Sequence, residues 1–275
     1  VGPFYFRLVA YKTFTDHLQN KVAIPYPPRR IVSLVPSQTE LLHDLGLEEK
    51  VAGITKFCVH PAGWKKSKVI VGGTKKFRLD IIRSLSPDLI IGNREENYRE
   101  GIETLQKEFP VWISDITTIA DAFRLVTDIG CITGVTDQAI VLRNKIERTF
   151  SKMTRLPPLR TLYLIWRQPW MAAASQTFIH AMLTEAGLVN ALQGLRRYPQ
   201  LTDAAIAALN PDVVMLSSEP YPFREKHIAE VQQLLPQSKI ILVDGEMFSW
   251  YGSRMLLFPA YVQLLKDRLS GCLSA

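Results

Sequence analysis

The chain repeats itself, and the repeat limits what it can fold into. Ser84–Ile91 reads SLSPDLII, and Ala208–Met215 reads ALNPDVVM. Upstream, Leu42–Leu47 (LHDLGL) is matched by Leu183–Leu188 (LTEAGL); downstream, Val111–Asp115 (VWISD) is matched by Ile240–Asp244 (IILVD). Short apolar strings coincide by chance, but chance rarely preserves their order. At about 150 residues per compact unit, a chain of 275 residues points to two units, and the repeat makes those units alike.

Each motif carries a local structure. Ile31–Val35 is a short β-branched run of the kind buried on both faces of a parallel sheet. Pro36 is expected to end it, and Ser37-Gln38-Thr39-Glu40 to open a helix through an S-x-x-E capping box. Ser37 and Glu40 read first as that cap and its reciprocal partner, with ligand contact as the second reading. The helix runs to Leu45, where Gly46 supplies the left-handed C-cap. Asp80–Leu85 is a short helix stopped by Pro87, and Leu89–Ile91 is the next strand. The second half repeats the plan with strand Thr161–Trp166, helix Thr177–Glu185, helix Asp203–Leu209 and strand Val213–Leu216. Strands alternating with helices at this spacing imply parallel sheets covered on both faces. Between the halves, residues 136–153 hold neither Pro nor Gly, and Ala139, Leu142, Ile146, Phe150 and Met153 share one helical face.

The expected fold is therefore α/β: two doubly wound, Rossmann-like lobes joined by one long helix, with a ligand cleft between them. The expected boundaries are 1–135 for the first lobe with a short amino-terminal extension, 136–156 for the connecting helix, and 157–275 for the second lobe. A single stiff connector allows only small changes in lobe separation.

Composition acts mainly by exclusion. The formal net charge is +7, but the basic residues are scattered and no reader motif appears, so no nucleic-acid partner is expected. No apolar run reaches the roughly 18 residues that a membrane helix needs. Cys58, Cys131 and Cys272 are too few for a disulfide framework. Cys58-x-His60 comes nearest to a metal-ligand pair, yet no second pair completes a tetrahedral site. Cys58 is read as a small buried residue, and neither a protein-ligated metal nor a resident cofactor is expected. Dinucleotide, P-loop, zinc-protease and nucleophile-elbow motifs are absent, so no catalysis is expected, and a monomer is. Val1–Ala10 lacks the basic and apolar regions of a secretory leader, which leaves export and a cytoplasmic location both open.

Longer strings carry a family resemblance. They are Pro28–Leu47 (PRRIVSLVPSQTELLHDLGL), Thr55–Pro61 (TKFCVHP), Gly72–Lys75 (GGTK), Glu95–Asn97 (EEN), Ile165–Ala172 (IWRQPWMA), Ser218–Phe223 (SEPYPF) and Asp244–Arg254 (DGEMFSWYGSR). From Thr13 to Leu265 the chain resembles the class III solute-binding proteins of cobalamin and iron-siderophore ABC importers, and within them a branch of helical-backbone metal-chelate receptors. The resemblance implies a non-enzymatic periplasmic or envelope-attached receptor. It would capture a metal chelate (a cobalamin-like corrinoid, heme or a ferric siderophore) in the inter-lobe cleft and offer it to an ABC importer permease. The alternative is an intracellular binding or sensing protein on the same fold with no transporter partner. Family members dock on the permease through one carboxylate per lobe; those positions fall on Asp80 and on Ala204, with Asp203 adjacent. Two tryptophans that line the corrin in the family's cobalamin receptor fall on Thr74 and Asn93, and two further aromatic positions on Phe57 and Tyr198. Thr15-Asp16 and the residues after them resemble the family's amino-terminal hairpin.

In a doubly wound lobe, ligands sit beyond the carboxyl ends of the strands. The first-lobe candidates are Phe57, Thr74, Lys75 and Asn93; the second-lobe candidates are Trp166, Arg167, Trp170, Tyr198, Glu219, Glu246, Trp250, Tyr251 and Arg254. Glu95-Glu96 reads equally as a solvated loop or as part of the wall. Aromatic walls suit a planar macrocycle, whereas Arg167, Arg254, Lys75 and Arg94 suit an anionic siderophore. The second lobe is expected to supply most apolar contact, and the first the polar contacts and Asp80.

Overall fold

The computed structural model describes residues 10–270; the leader reading over residues 1–9 and Cys272 fall outside them. The chain divides into two compact units. The first runs to Asp115 and resumes over Phe123–Asn144; the second takes Ile116–Ala122 and the chain from Lys145 onward.

The first unit opens with an antiparallel hairpin, β1 (Tyr11–Thr15) and β2 (Lys21–Pro25). The buried Asp16 carboxylate closes its turn by accepting from the amides of Leu18 and Asn20. The main sheet holds β3 (Ile31–Ser33), β4 (Val51–Ile54), β5 (Val69–Ile70), β8 (Leu89–Asn93) and β9 (Val111–Ser114), all parallel, in the order β5-β4-β3-β8-β9. A small hairpin, β6 (Gly72–Gly73) and β7 (Lys76–Phe77), follows β5. The helices are α1 (Pro36–Asp44), α2 (Trp64–Ser67), α3 (Leu79–Leu85), α4 (Arg99–Gln106), α5 (Ile119–Thr133) and α6 (Thr136–Ser151). The chain winds outward from β3 to β5 and then returns to the other side at β8, so the strand order reverses between β3 and β8. β3 and β8 are buried along their whole lengths, as strands covered on both faces must be.

The second unit is built on β10 (Arg160–Trp166), β11 (Trp170–Ala172), β12 (Val189–Asn190), β13 (Gln200–Leu201), β14 (Val213–Ser217) and β15 (Lys239–Val243). Its helices are α7 (Phe178–Glu185), α8 (Asp203–Leu209), α9 (Glu225–Leu234), α10 (Gly245–Ser249) and α11 (Phe258–Leu269). β12, β10, β14 and β15 pair in parallel. The sheet is not wholly parallel, however: β11 turns back antiparallel on β10 and carries β13 antiparallel on its far edge.

The repeat has a structural cause in two places. Gly46 (φ 74°) and Gly187 (φ 95°) both end helices in the left-handed region. Both are followed by a leucine whose amide reaches back to the carbonyl of the first leucine of its motif, Leu47 to Leu42 and Leu188 to Leu183. Few side chains tolerate that backbone without cost. In the other motif, Ser86 and Asn210 end α3 and α8 in the same conformation, and a Pro-Asp pair follows. The Asp88 carboxylate accepts from the amides of Arg29 and Arg30, and the Asp212 carboxylate accepts from that of Arg160. Each repeated aspartate thus ties its strand to the start of the neighbouring central strand.

Three local expectations change. β3 ends at Ser33 rather than Val35, and Pro36 is the first residue of α1 rather than a strand terminator; a missing N–H costs nothing at that helical position. The capping box does not form, because Val35 is the N-cap and Ser37 lies inside the helix with no side-chain cap bond. The long helix begins at Thr136 as expected but closes at Ser151, short of Met153. The division between the two units falls inside α6, at Asn144 and Lys145.

Candidate ligand-binding site

In the first unit the loop after β4 is fastened by a buried thiol. Cys58 Sγ lies 3.0 Å from Thr39 Oγ1 and 3.2 Å from Thr55 Oγ1, and the Cys58 amide donates to the Thr55 carbonyl. Burial pushes the Cys58 thiol up from its ordinary range, which makes it a structural anchor rather than a nucleophile. The anchored turn leaves Phe57 51% exposed. Its ring lies on Gly73, where a Cβ would come within 3.1 Å of it, and Lys56 Nζ stands 5.0 Å from its centroid.

The other first-unit candidates are stitched together. Asn97 Nδ2 donates to the carbonyls of Leu34 (3.2 Å) and Thr74 (3.1 Å), and Lys75 Nζ donates to the Glu95 carbonyl. Asn93 is buried: its Oδ1 accepts from the amides of Glu95 and Glu96, and its Nδ2 donates to Ser114 Oγ. It therefore shapes the Glu95–Asn97 loop. Asn97, the last residue of the EEN string, organises the loop as well.

In the second unit, Trp166 ends β10 and is 39% exposed, with Tyr221 edge-on at 5.7 Å. Arg167 Nε donates to both carboxylate oxygens of Glu230 on α9, at 2.9 and 2.8 Å. That contact pushes the guanidinium further up. Trp170 was expected in the cleft wall, but it is buried in the unit's core. It stacks on Phe223 at 6.3 Å, and its indole N–H donates to Asp203 Oδ1 at 2.7 Å. The reason is the reversal after β10, which makes β11 a strand of the sheet instead of a loop. Tyr198 is half-buried, with the Arg197 guanidinium 5.9 Å from its ring centroid.

A second cluster forms beyond β14 and β15. Glu219 Oε1 accepts from Ser249 Oγ (2.7 Å) and from the Trp250 indole N–H (2.9 Å). Burial holds the Glu219 carboxyl above the ordinary glutamate range, and Glu246 and Asp244 push it the same way. Gly245 is required beside it, since a Cβ there would come within 2.5 Å of Glu219 Cγ. Arg254, 8% exposed, pairs with Glu246 at 3.1 Å and stands 5.1 Å from the Trp250 ring centroid. Trp250 and Tyr251 are buried, and Tyr251 packs edge-on against Phe178 of α7.

The docking candidates differ in state. Asp80 is in the first turn of α3, with its side chain 74% exposed and Arg78 at 3.8 Å. Asp203 opens α8 one position before Ala204 and accepts the Trp170 indole. Among the described residues no group of three or more His, Cys, Asp or Glu side chains could hold a metal ion. No helix among them is long and apolar enough to cross a membrane.

The model of the periplasmic binding protein family matches residues 31–238. A vitamin B12-binding protein of Pectobacterium carotovorum is 23% identical over 84% of this chain and 85% of its own length. The ABC transporter substrate-binding lipoprotein YvrC of Bacillus subtilis is 26% identical over 74% of this chain and 68% of its own. Among solved structures, the periplasmic vitamin B12 binding protein BtuF of Vibrio cholerae overlays 90% of this chain and 99% of its own, with TM-score 0.74 and 20% identity. The periplasmic heme-binding protein RhuT of Roseiflexus overlays 89% and 97%, with TM-score 0.72 and 21% identity. At such identities the overlays establish the fold. The family model extends over most of the length and the parallel units have the overlaid architecture, so the chain belongs to the periplasmic binding protein family.

Proposed function

We propose that this protein is the solute-binding receptor of an ABC importer and that its ligand is a planar metal macrocycle, a corrinoid or a heme, bound without chemical conversion. The reading is supported by relatives named for vitamin B12 and by fold neighbours named for vitamin B12 and heme. It acts outside the cytoplasmic membrane, in the periplasm or attached to the envelope, and passes its ligand to a permease through the exposed Asp80, with Asp203 in the lesser role.

One observation favours a macrocycle over an anionic siderophore. The three arginines suited to a polyanion are already neutralised by carboxylates of their own unit: Arg94 by Asp115, Arg167 by Glu230 and Arg254 by Glu246. Meanwhile Phe57 and Trp166 stand exposed at the carboxyl ends of strands, one in each unit. An exposed ring gains by stacking on a flat ligand, while a paired arginine would have to give up its carboxylate first.

Titration of the tryptophan fluorescence with cyanocobalamin, hemin and a ferric hydroxamate siderophore tests the reading. A macrocycle is expected to quench and the siderophore is not. Phe57→Ala and Trp166→Ala should each weaken macrocycle binding by about 1 kcal/mol, roughly fivefold. Quenching by the siderophore alone would reverse the assignment. Recovery of the native protein in the cytosol would support the intracellular alternative.

A further inference from the structure

Resting on that reading and deepening it, we infer that the amino terminus of α1, with Ser37 and Lys75, is a subsite for one oxyanion, a carboxylate or phosphate carried at the ligand's edge.

The failed capping box is the starting point. The nine-residue helix α1 starts from Val35 with no side-chain cap. The first amides of a helix have no intrahelical acceptor, and that end carries the positive pole of the peptide dipoles. Here the first turn is buried, from Pro36 to Thr39, which removes water as the ordinary substitute. The other hydroxyl of that turn is accounted for: Thr39 Oγ1 meets Ser33 Oγ and the Val35 carbonyl. Ser37 is not. It is 3% exposed, and its Oγ has no hydrogen-bond partner. A buried hydroxyl left unmade costs free energy, and in a receptor that cost is relieved when a ligand oxygen accepts it.

Two further facts point to an anion. Asn97 ties the Thr74 carbonyl to the Leu34 carbonyl just ahead of α1, so the Thr74-Lys75 turn is held beside the helix start. Lys75 gives its ammonium to an uncharged acceptor, the Glu95 carbonyl, and so differs from the three carboxylate-paired arginines. The location is also the one that topology selects, because α1 leaves the carboxyl end of β3 where the strand order reverses toward β8.

The test measures tryptophan quenching of the wild type, Ser37→Ala and Lys75→Ala by cyanocobalamin (one phosphodiester), hemin (two propionates) and dicyanocobinamide (no phosphodiester). Each substitution should weaken the recognised oxyanion-bearing macrocycle about tenfold or more and leave dicyanocobinamide within about twofold. Loss confined to hemin assigns a carboxylate, and loss confined to cyanocobalamin a phosphate. Equal effects on all three, or none on any, overturn the subsite while leaving the receptor reading in place. If no macrocycle quenches the wild type, the receptor reading falls instead, and inorganic phosphate decides the subsite. A phosphate-dependent rise in melting temperature that Ser37→Ala and Lys75→Ala lack sustains it; an equal rise in all three proteins overturns it. Ser37→Ala removes an unpartnered hydroxyl, so its melting temperature without ligand should not fall; the exposed Lys75→Ala gives an independent measure.

Discussion

Glu219 shows how one buried side chain can hold its neighbours and strain the fold at the same time. It accepts from Ser249 and Trp250, yet its carboxyl is raised by burial and by Glu246 and Asp244. Between the ordinary glutamate range and the raised folded value, the native state binds more protons than the unfolded chain. Stability therefore falls as pH rises through that window, and above it the ionised carboxylate remains a constant cost. Glu219→Gln keeps an acceptor for the Trp250 indole and removes the ionisation. The variant should melt above the wild type at pH 7.5, with the difference shrinking toward pH 4; a difference independent of pH would rule this account out.

Among elements, the Pro-Asp pairs matter most. Asp88 takes two amides, from Arg29 and Arg30, whereas Asp212 takes one, from Arg160. Carboxylate–amide bonds contribute roughly 1.5 kcal/mol or more each. Asp88→Ala is therefore expected to destabilise by about 3 kcal/mol and Asp212→Ala by about half of that, read from urea midpoints at constant m. Equal losses would show that the second amide of Asp88 adds nothing. The pairs were visible as repeated letters, but their role was not, because the amides they accept from lie 52 to 59 residues away in sequence.

For the whole molecule, each unit has an apolar core of its own, Cys58 and Cys131 are free thiols, and no cluster among the described residues could hold a metal. Dialysis against a chelator, with or without a reductant, should leave the melting temperature of the ligand-free protein unchanged. A fall on chelation would point to a structural metal.

The sequence by itself determined the repeated elements and their order, because their signals are local: a left-handed C-cap at Gly46, proline stops, and β-branched strands buried on both faces. It also placed the candidate residues at the strand ends, which follows from parallel winding. Tertiary structure decided which candidates face outward. Trp166 and Trp170 are four residues apart, yet one is exposed and the other is in the core, because the chain reverses between them and Asp203 and Phe223 wait on the inner face. It decided the pairing of the candidate arginines as well, since Glu230 and Asp115 neutralise Arg167 and Arg94 from 63 and 21 residues away. And it decided Ser37: the S-x-x-E string is compatible with a cap or with an interior turn, and only the docking of α1 at the end of β3 turned an expected cap into a buried hydroxyl with no partner.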